Sequence, residues 1–272
     1  MKKLFSFWIF LALPCLVWAQ KQVAASTILD QINRGEAVSY QDAVITGSLN
    51  LTQLNNKMLK TLAGKDGKTE GKEYTSTVLV PISFVNCTFT GDVLAYFNPE
   101  NSEEEAESKR ANITLFKNEV YNANFEKEVK FENCVFEQKS AFKYSQFRKA
   151  VSFAGSTFHK EGLFKYSHFM GNIDFSGAVF KDDANFKYVR FPQSPEFKAA
   201  VFEQEANFKY AQFPQGVNLE RAKFLGLANF KYATLATPLK LDAVSFTGNK
   251  DFKYTTINKR SLGLDVYQEK RK

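Results

Sequence analysis

From Phe125 to Ile257, large apolar residues recur at spacings that alternate between six and five. They stand at 125, 131, 136, 142, 147, 153, 158 and 164, then at Phe169, Phe175, Phe180, Phe186, Phe191, Phe197, Phe202, Phe208 and Phe213. Leu219, Phe224, Phe230, Leu235, Leu241, Phe246, Phe252 and Ile257 close the series. All 25 positions are apolar and 21 are Phe, so this one rule absorbs most of the 28 phenylalanines in the chain. Two residues before most nodes stands a small or β-branched residue, as in Ala123, Val129, Cys134, Ser140, Ser145, Val151 and Ser156, and later Ala200, Ala206, Ala211, Val217, Ala222 and Ala228. Residues two apart share one face of a strand, so each short strand aims one small and one large side chain inward. A helix is excluded by angle. At about 100° per residue, steps of five or six turn successive Phe to opposite sides.

The strict period is two steps of six and two of five, marked by Phe142-Lys143-Tyr144, Phe164-Lys165-Tyr166, Phe186-Lys187-Tyr188, Phe208-Lys209-Tyr210, Phe230-Lys231-Tyr232 and Phe252-Lys253-Tyr254. Four inward strands make one lap of a square solenoid, and laps stack as parallel β-structure with a continuous core that needs a cap at each end. A leucine-rich repeat of the same length lacks support, because its Leu/Asn spacing is missing. Four evenly spaced large residues per lap favour four sides over the three of a pectinase-type helix.

Ala123-Asn124-Phe125, Ala184-Asn185-Phe186, Ala206-Asn207-Phe208 and Ala228-Asn229-Phe230 resemble the units of the pentapeptide-repeat family, roughly A-(D/N)-(L/F)-x-x. The resemblance implies an all-β fold, a right-handed quadrilateral parallel β-helix over about 38–257. The chain departs from the family in the length of its lap, which exceeds four pentapeptides by one residue on each of two alternate faces. Those extra residues are placed at corners such as Pro192-Gln193-Ser194 and Pro214-Gln215-Gly216. Some members of the family imitate DNA and bind topoisomerases. This chain is basic, and that activity is not carried over.

Four segments flank or interrupt the repeat. Lys2 and Lys3 precede an apolar run from Leu4 to Val17 that ends at Ala19, the pattern of a secretory signal peptide over 1–19. Residues 20–37 are expected to hold a capping helix, with Ser26–Arg34 carrying Ile28, Leu29 and Ile32 on one face and Gly35 as its stop. Insertions are expected near 55–75, where Gly64–Lys72 reads as an exposed loop, and near 98–111. Residues 258–272 read as a C-terminal cap and basic tail. Ile45–Leu51 and Ile82–Phe89 match the later repeat in spacing and so belong to the solenoid.

Charge and rare residues then narrow the chemistry. The net charge is +7, and +5 once Lys2 and Lys3 are cleaved away. The candidate binding residues are the outward rows Lys143, Tyr144, Lys165, Tyr166, Lys187, Tyr188, Lys209, Tyr210, Lys231, Tyr232, Lys253 and Tyr254. Stacked about 4.8 Å apart, they would form two ladders and a flat aromatic-basic strip. The strip suits an anionic glycan, a lipid headgroup or a partner protein, and export argues against nucleic acid. A plainer account of both rows is that they solubilise the corner, or that duplication copied them. Glu161, Asp182, Asp183, Glu203 and Glu205 stand as charge partners for the Lys row. His159 and His168 flank nodes and should point outward, so no metal, cofactor or catalytic site is expected. Cys87 and Cys134 share one inward position and read as buried packing thiols. The function these features imply is a non-catalytic exported scaffold or binding protein, periplasmic, envelope-associated or extracellular. The alternative is a β-helix enzyme of envelope or extracellular polysaccharide, which would need carboxylates clustered on a concave face.

Overall fold

Parallel strands stacked one lap apart build the molecule, a computed structural model that describes residues 20–63, 69–99 and 119–269. Thr157 pairs with Val179, Val179 with Val201, and Val201 with Lys223, each partner one lap further on. Each lap visits four faces. In one lap these are Val129–Glu132 on the first, Val135–Phe136 on the second, Ser140–Ala141 on the third and Gln146–Phe147 on the fourth. The second face is a continuous nine-stranded sheet and the third an eight-stranded one. The first and fourth faces thin to single bridges at Glu196 and Arg190. Buried Pro195 explains the gap on the first face: it occupies the inward strand position of Ile173 and Val217 but has no N–H for the ladder.

The Phe nodes fill the tube. Phe131, Phe142, Phe153, Phe164, Phe175 and Phe186 are each 0% exposed. Along each column the rings stack nearly parallel, as Phe175 on Phe197 at 5.2 Å and 2°. Between columns they meet edge to face, as Phe164 on Phe175 at 5.2 Å and 81°. Both geometries are favourable for aromatic quadrupoles, which explains why one residue type recurs. At several inward Ser and Thr positions the buried hydroxyl donates to a carbonyl of the preceding lap, as Ser156 Oγ to Phe131 O at 2.7 Å and Ser167 Oγ to Phe142 O at 2.6 Å, whereas the buried Ser140 hydroxyl has no hydrogen-bond partner. Cys134 and Cys87 occupy the same column, are both free, and direct Sγ at Phe84 O (3.5 Å) and Tyr40 O (3.6 Å).

The alternation of six and five has a physical basis at the corners. A five-residue step closes a tight turn, with Val189 N–H donating to Phe186 O and Ala200 N–H to Phe197 O. The third residue of each such turn lies in the left-handed region, where the chain reverses most sharply. One column of these residues is Asn133, Gly155, Gly177, Ala199, Arg221 and Ala243, and the diagonally opposite column is Tyr144, Tyr166, Tyr188, Tyr210, Tyr232 and Tyr254. The two remaining corners take six residues, and Pro192-Gln193-Ser194 lies at one of them.

The early laps stack in register despite their insertions, Val38 pairing with Ile82 and Ile82 with Val129. Of the segment read as a loop at Gly64–Lys72, Thr69–Lys72 is strand, since Thr69–Val78 pairs antiparallel with Met58–Ala63, and residues 64–68 lie outside the described residues. The hairpin extends the fourth face, its second strand pairing in parallel with Glu119–Phe125. Helix α1, Ala25–Asn33, lays Ile28 and Ile32 on the open N-terminal end of the core, and Gly35 follows it at φ +75°. Before α1, Lys21–Ala24 adds an edge strand to the second face, paired with Ala43–Thr46. Helix α2, Leu264–Glu269, buries Leu264 at the other end. The expected signal peptide lies outside the described residues, as does most of the insertion near 98–111.

Candidate functional site

The Lys/Tyr corner joins the third face to the fourth. Asn185, Asn207 and Asn229, the last strand residues of the third face, accept the N–H of Lys187, Lys209 and Lys231 through Oδ1 at 3.3, 3.1 and 3.3 Å. This side-chain turn sets the corner and directs the Lys outward. The next residue, Tyr, then takes a φ of 59–62° in all six laps. Left-handed backbone is unfavourable by about 1–2 kcal/mol for a residue with a Cβ. Six tyrosines in that conformation therefore need a compensating interaction, and ring stacking supplies it. Successive centroids lie 5.2, 4.7, 4.7, 4.8 and 4.7 Å apart, with interplanar angles of 1–18°.

That stacking corrects the flat aromatic strip expected from the sequence. The ring faces are covered by their neighbours, so the column presents ring edges and phenol oxygens to solvent. A base or sugar ring cannot stack along it. Each Lys folds its ammonium over the ring of its own Tyr, Nζ lying 4.8, 5.1, 5.2, 5.4, 5.7 and 5.1 Å from the centroid from Lys143 to Lys253. Lys143 also donates to Tyr96 Oη at 3.1 Å and lies 4.6 Å from that ring, which adds a further aromatic to the N-terminal end of the column. Sequence reasoning missed Tyr96, although a signal for it exists. Val93-Leu94 is the counterpart of Ser140-Ala141 one lap earlier, and that pairing places Tyr96 beside Lys143.

The acidic residues do not partner the Lys column. Among the described residues no ion pair within 4.0 Å includes Lys143, Lys165, Lys187, Lys209, Lys231 or Lys253. Glu161 and Glu205 instead accept from the side-chain amides of Asn185 and Asn229 at 3.2 and 2.8 Å. Asp182 accepts from Asp183 N–H at 2.8 Å, and Asp183 from Glu205 N–H at 3.0 Å. The ammonium groups therefore line up, each over its own Tyr ring, without an ion-paired carboxylate among the described residues. Lys165 is held below the ordinary lysine range, by burial first and then by repulsion from Lys143 and Lys187.

Elsewhere the surface offers shallow clefts. One of about 420 Å³ lies on the fourth face beside Arg190, Gln212, Thr234, Thr256 and Lys259, and one of about 350 Å³ on the first face beside Lys130, Glu132, Ser152 and Asp174. Glu132 is ion-paired with Lys130 at 3.3 Å, and Asp174 accepts from Ser176 N–H. His168 is exposed on the fourth face and His159 is half-buried just past Phe158. Among the described residues, no group of three or more His, Cys, Asp or Glu could hold a metal ion.

A tube of stacked four-strand laps, with a core of ring columns and a surface of repeated single-residue rows, defines a repeat solenoid. Residues 121–167, 142–190 and 186–234 match the family model described as pentapeptide repeats (9 copies), so the stretch from 121 to 234 is a run of repeats of this family's kind. Proteins of this family are generally non-catalytic scaffolds. No curated protein and no solved structure matches the chain.

Proposed function

We propose that the protein is an exported, non-catalytic scaffold whose Lys/Tyr edge docks anionic partners, either an acidic polymer or headgroup of the cell envelope or an acidic protein surface. The observation that carries this reading is the file of six ammonium groups with no carboxylate within ion-pairing distance among the described residues. Adjacent charges about 5 Å apart repel by about 0.8 kcal/mol in water, and physiological salt roughly halves that. A cation over an aromatic ring gains about 0.5–1 kcal/mol at an exposed site, so the column is self-supporting without a ligand. It is thus preorganised, and an arriving anion meets cations already held in line at little further entropic cost. The positive balance of the whole chain favours the same class of partner.

The test is retention of the chain from Gln20 onward on an immobilised acidic polysaccharide and on anionic vesicles, with neutral matrices as controls. The triple variant Lys165→Glu, Lys187→Glu, Lys209→Glu is run beside it. Retention that weakens with salt and is lost in the variant supports the reading. Equal retention of both proteins at low salt removes it.

A further inference from the structure

The third face carries its charges in stripes. Strand alternation turns Gly162, Ala184 and Ala206 inward, and Leu163, Asn185 and Asn207 outward. The outward residues on either side of that middle column are then Glu161, Asp183 and Glu205 along one edge and Lys165, Lys187 and Lys209 along the other. The side-chain contacts agree, since Glu161 touches Asn185 of the middle column and the Asn185 side chain holds the Lys187 N–H. Across three consecutive laps the face therefore reads acid, neutral, cation, with about 13 Å from one charged edge to the other.

Such a face is complementary to itself in only one arrangement. If two copies meet face to face about a two-fold axis parallel to the solenoid, the acidic edge of each lies on the Lys edge of the other. Each rung then meets its own level: Glu161 opposes Lys165, Asp183 opposes Lys187 and Glu205 opposes Lys209 of the second copy. A two-fold running across the strips would set Lys on Lys, and is disfavoured at all three levels. The middle column meets itself along the axis, Leu163 on Leu163 and Asn185 on Asn185, where side chains are neutral. The flat sheet and the common lap spacing keep the copies in step along their whole contact.

We infer that the third face is a self-association surface, and that a second copy of this chain docks on it with the two solenoids parallel. The inference rests on the reading of the Lys column as a docking edge, and it names the acidic surface as the one each copy already carries. The pattern also sets its limits. Lys139 stands in the acidic column at the lap of Lys143, Leu227 and Asn249 stand there at the last two laps, and Asp251 would meet itself on the axis. The attraction is confined to the laps of Glu161 to Lys209. Three laps are about 14 Å long, so this stretch buries roughly 200 Å² per copy, a contact that supports only weak, reversible association. Electrostatics then sets both its orientation and its salt dependence.

The experiment is sedimentation equilibrium at about 0.1 mM protein, in salt of about 0.01 M and about 1 M, where the screening length falls from about 30 to about 3 Å. Wild type is expected to dimerise at low salt and dissociate at high salt. Two charge-reversed proteins follow, the triple Lys-to-Glu variant above and Glu161→Lys, Asp183→Lys, Glu205→Lys. Each alone should be monomeric, since its two edges now match in sign. Mixed together they should form a heterodimer at low salt, because one copy carries acid on both edges and the other cation on both. A misfolded variant cannot restore association, so recovery in the mixture supports the inference and its absence overturns it. Retention on the acidic polymer separates the two readings: the acid-to-Lys variant keeps its Lys column and should still be retained. A monomeric wild type that binds polymer would overturn self-association alone. A dimer that ignores polymer would support self-association and remove the polymer as partner.

Discussion

Replacing Phe186 by Ala tests the core where its geometry is most fully defined. The ring is 0% exposed. It stacks on Phe164 and Phe208 at 5.0 Å each, and meets Phe175, Phe197, Phe180 and Phe191 at 5.2, 5.4, 5.9 and 6.3 Å. Truncation of a buried Phe to Ala destabilises by about 3–5 kcal/mol, and aromatic pairs add about 0.5–1.5 kcal/mol each beyond burial. A walled tube with rigid stacked neighbours collapses poorly onto the void, so a loss of about 4–5 kcal/mol is expected. Phe252, near the C-terminal end, is only partly buried and has two ring partners, Phe230 at 5.8 Å and Phe246 at 5.4 Å. Its Ala variant should lose about 1–2 kcal/mol. The assay is urea denaturation followed by circular dichroism. Amide exchange read alongside should show protection lost first in the laps of Phe164, Phe186 and Phe208, because each lap contacts only its neighbours. A loss below about 1.5 kcal/mol at Phe186, or equal losses at the two sites, would refute the reasoning.

Three further outcomes follow from particular side chains. At Tyr188, Gly should be better tolerated than Ala by about 1 kcal/mol in urea denaturation, because both lose the ring stack but only Gly relaxes at φ 61°; an Ala variant as stable as the Gly variant contradicts the turn geometry. Cys87 and Cys134, each 1% exposed, should resist a thiol reagent in the native protein and react only on unfolding, and fast labelling of either would contradict their burial. The Tyr121 hydroxyl is pushed up to about 12, by burial first and then by its hydrogen bond to Glu119. A folded value above the ordinary 10 favours the protonated phenol in the native state, so this contribution to stability is complete below pH 10 and lost as pH rises through about 12. Ultraviolet titration should find a phenol ionising near pH 12 that is absent from Tyr121→Phe, and an unchanged titration would contradict it.

The solenoid is legible in the sequence because the inward row is chemically uniform: Phe at 21 nodes leaves a period that no surface variation hides. The capping helix is legible for a related reason, since Ile28 and Ile32 lie on one face and Gly35 ends it. The hairpin of Met58–Ala63 and Thr69–Val78 is not. Its second strand opens on Thr, Glu, Gly and Lys with no apolar alternation, and it holds its place by backbone pairing to Glu119–Phe125. The edge strand Lys21–Ala24 is likewise fixed by pairing with Ala43–Thr46 rather than by a pattern of its own. The Lys/Tyr rows are visible as rows, but their exposed chemistry is not. Whether a ring lies flat or on edge is decided by the distance to the next lap, and at 4.7–5.2 Å the rings must stack. Glu161, Asp183 and Glu205 lie on the opposite edge of the same face, four residues and about 13 Å along the strand from the Lys, beyond ion-pairing distance, and this sets up the stripes.

The tube, its ring columns and its surface rows all depend on the length of a lap, which runs from one Phe-Lys-Tyr corner to the next. A pair of internal deletions measures that length. Removal of Lys187–Phe208 takes out one lap and rejoins Phe186 to Lys209, leaving every face in register. Removal of Lys187–Ala206, equal to four pentapeptides, would rejoin Phe186 to Asn207 and turn inward residues out. The first variant should fold, keep a β-type circular dichroism spectrum, and be shorter by about 4.8 Å in solution scattering. The second should lose its cooperative unfolding transition. Equal tolerance of the two deletions, or collapse of both, would contradict a lap of this length.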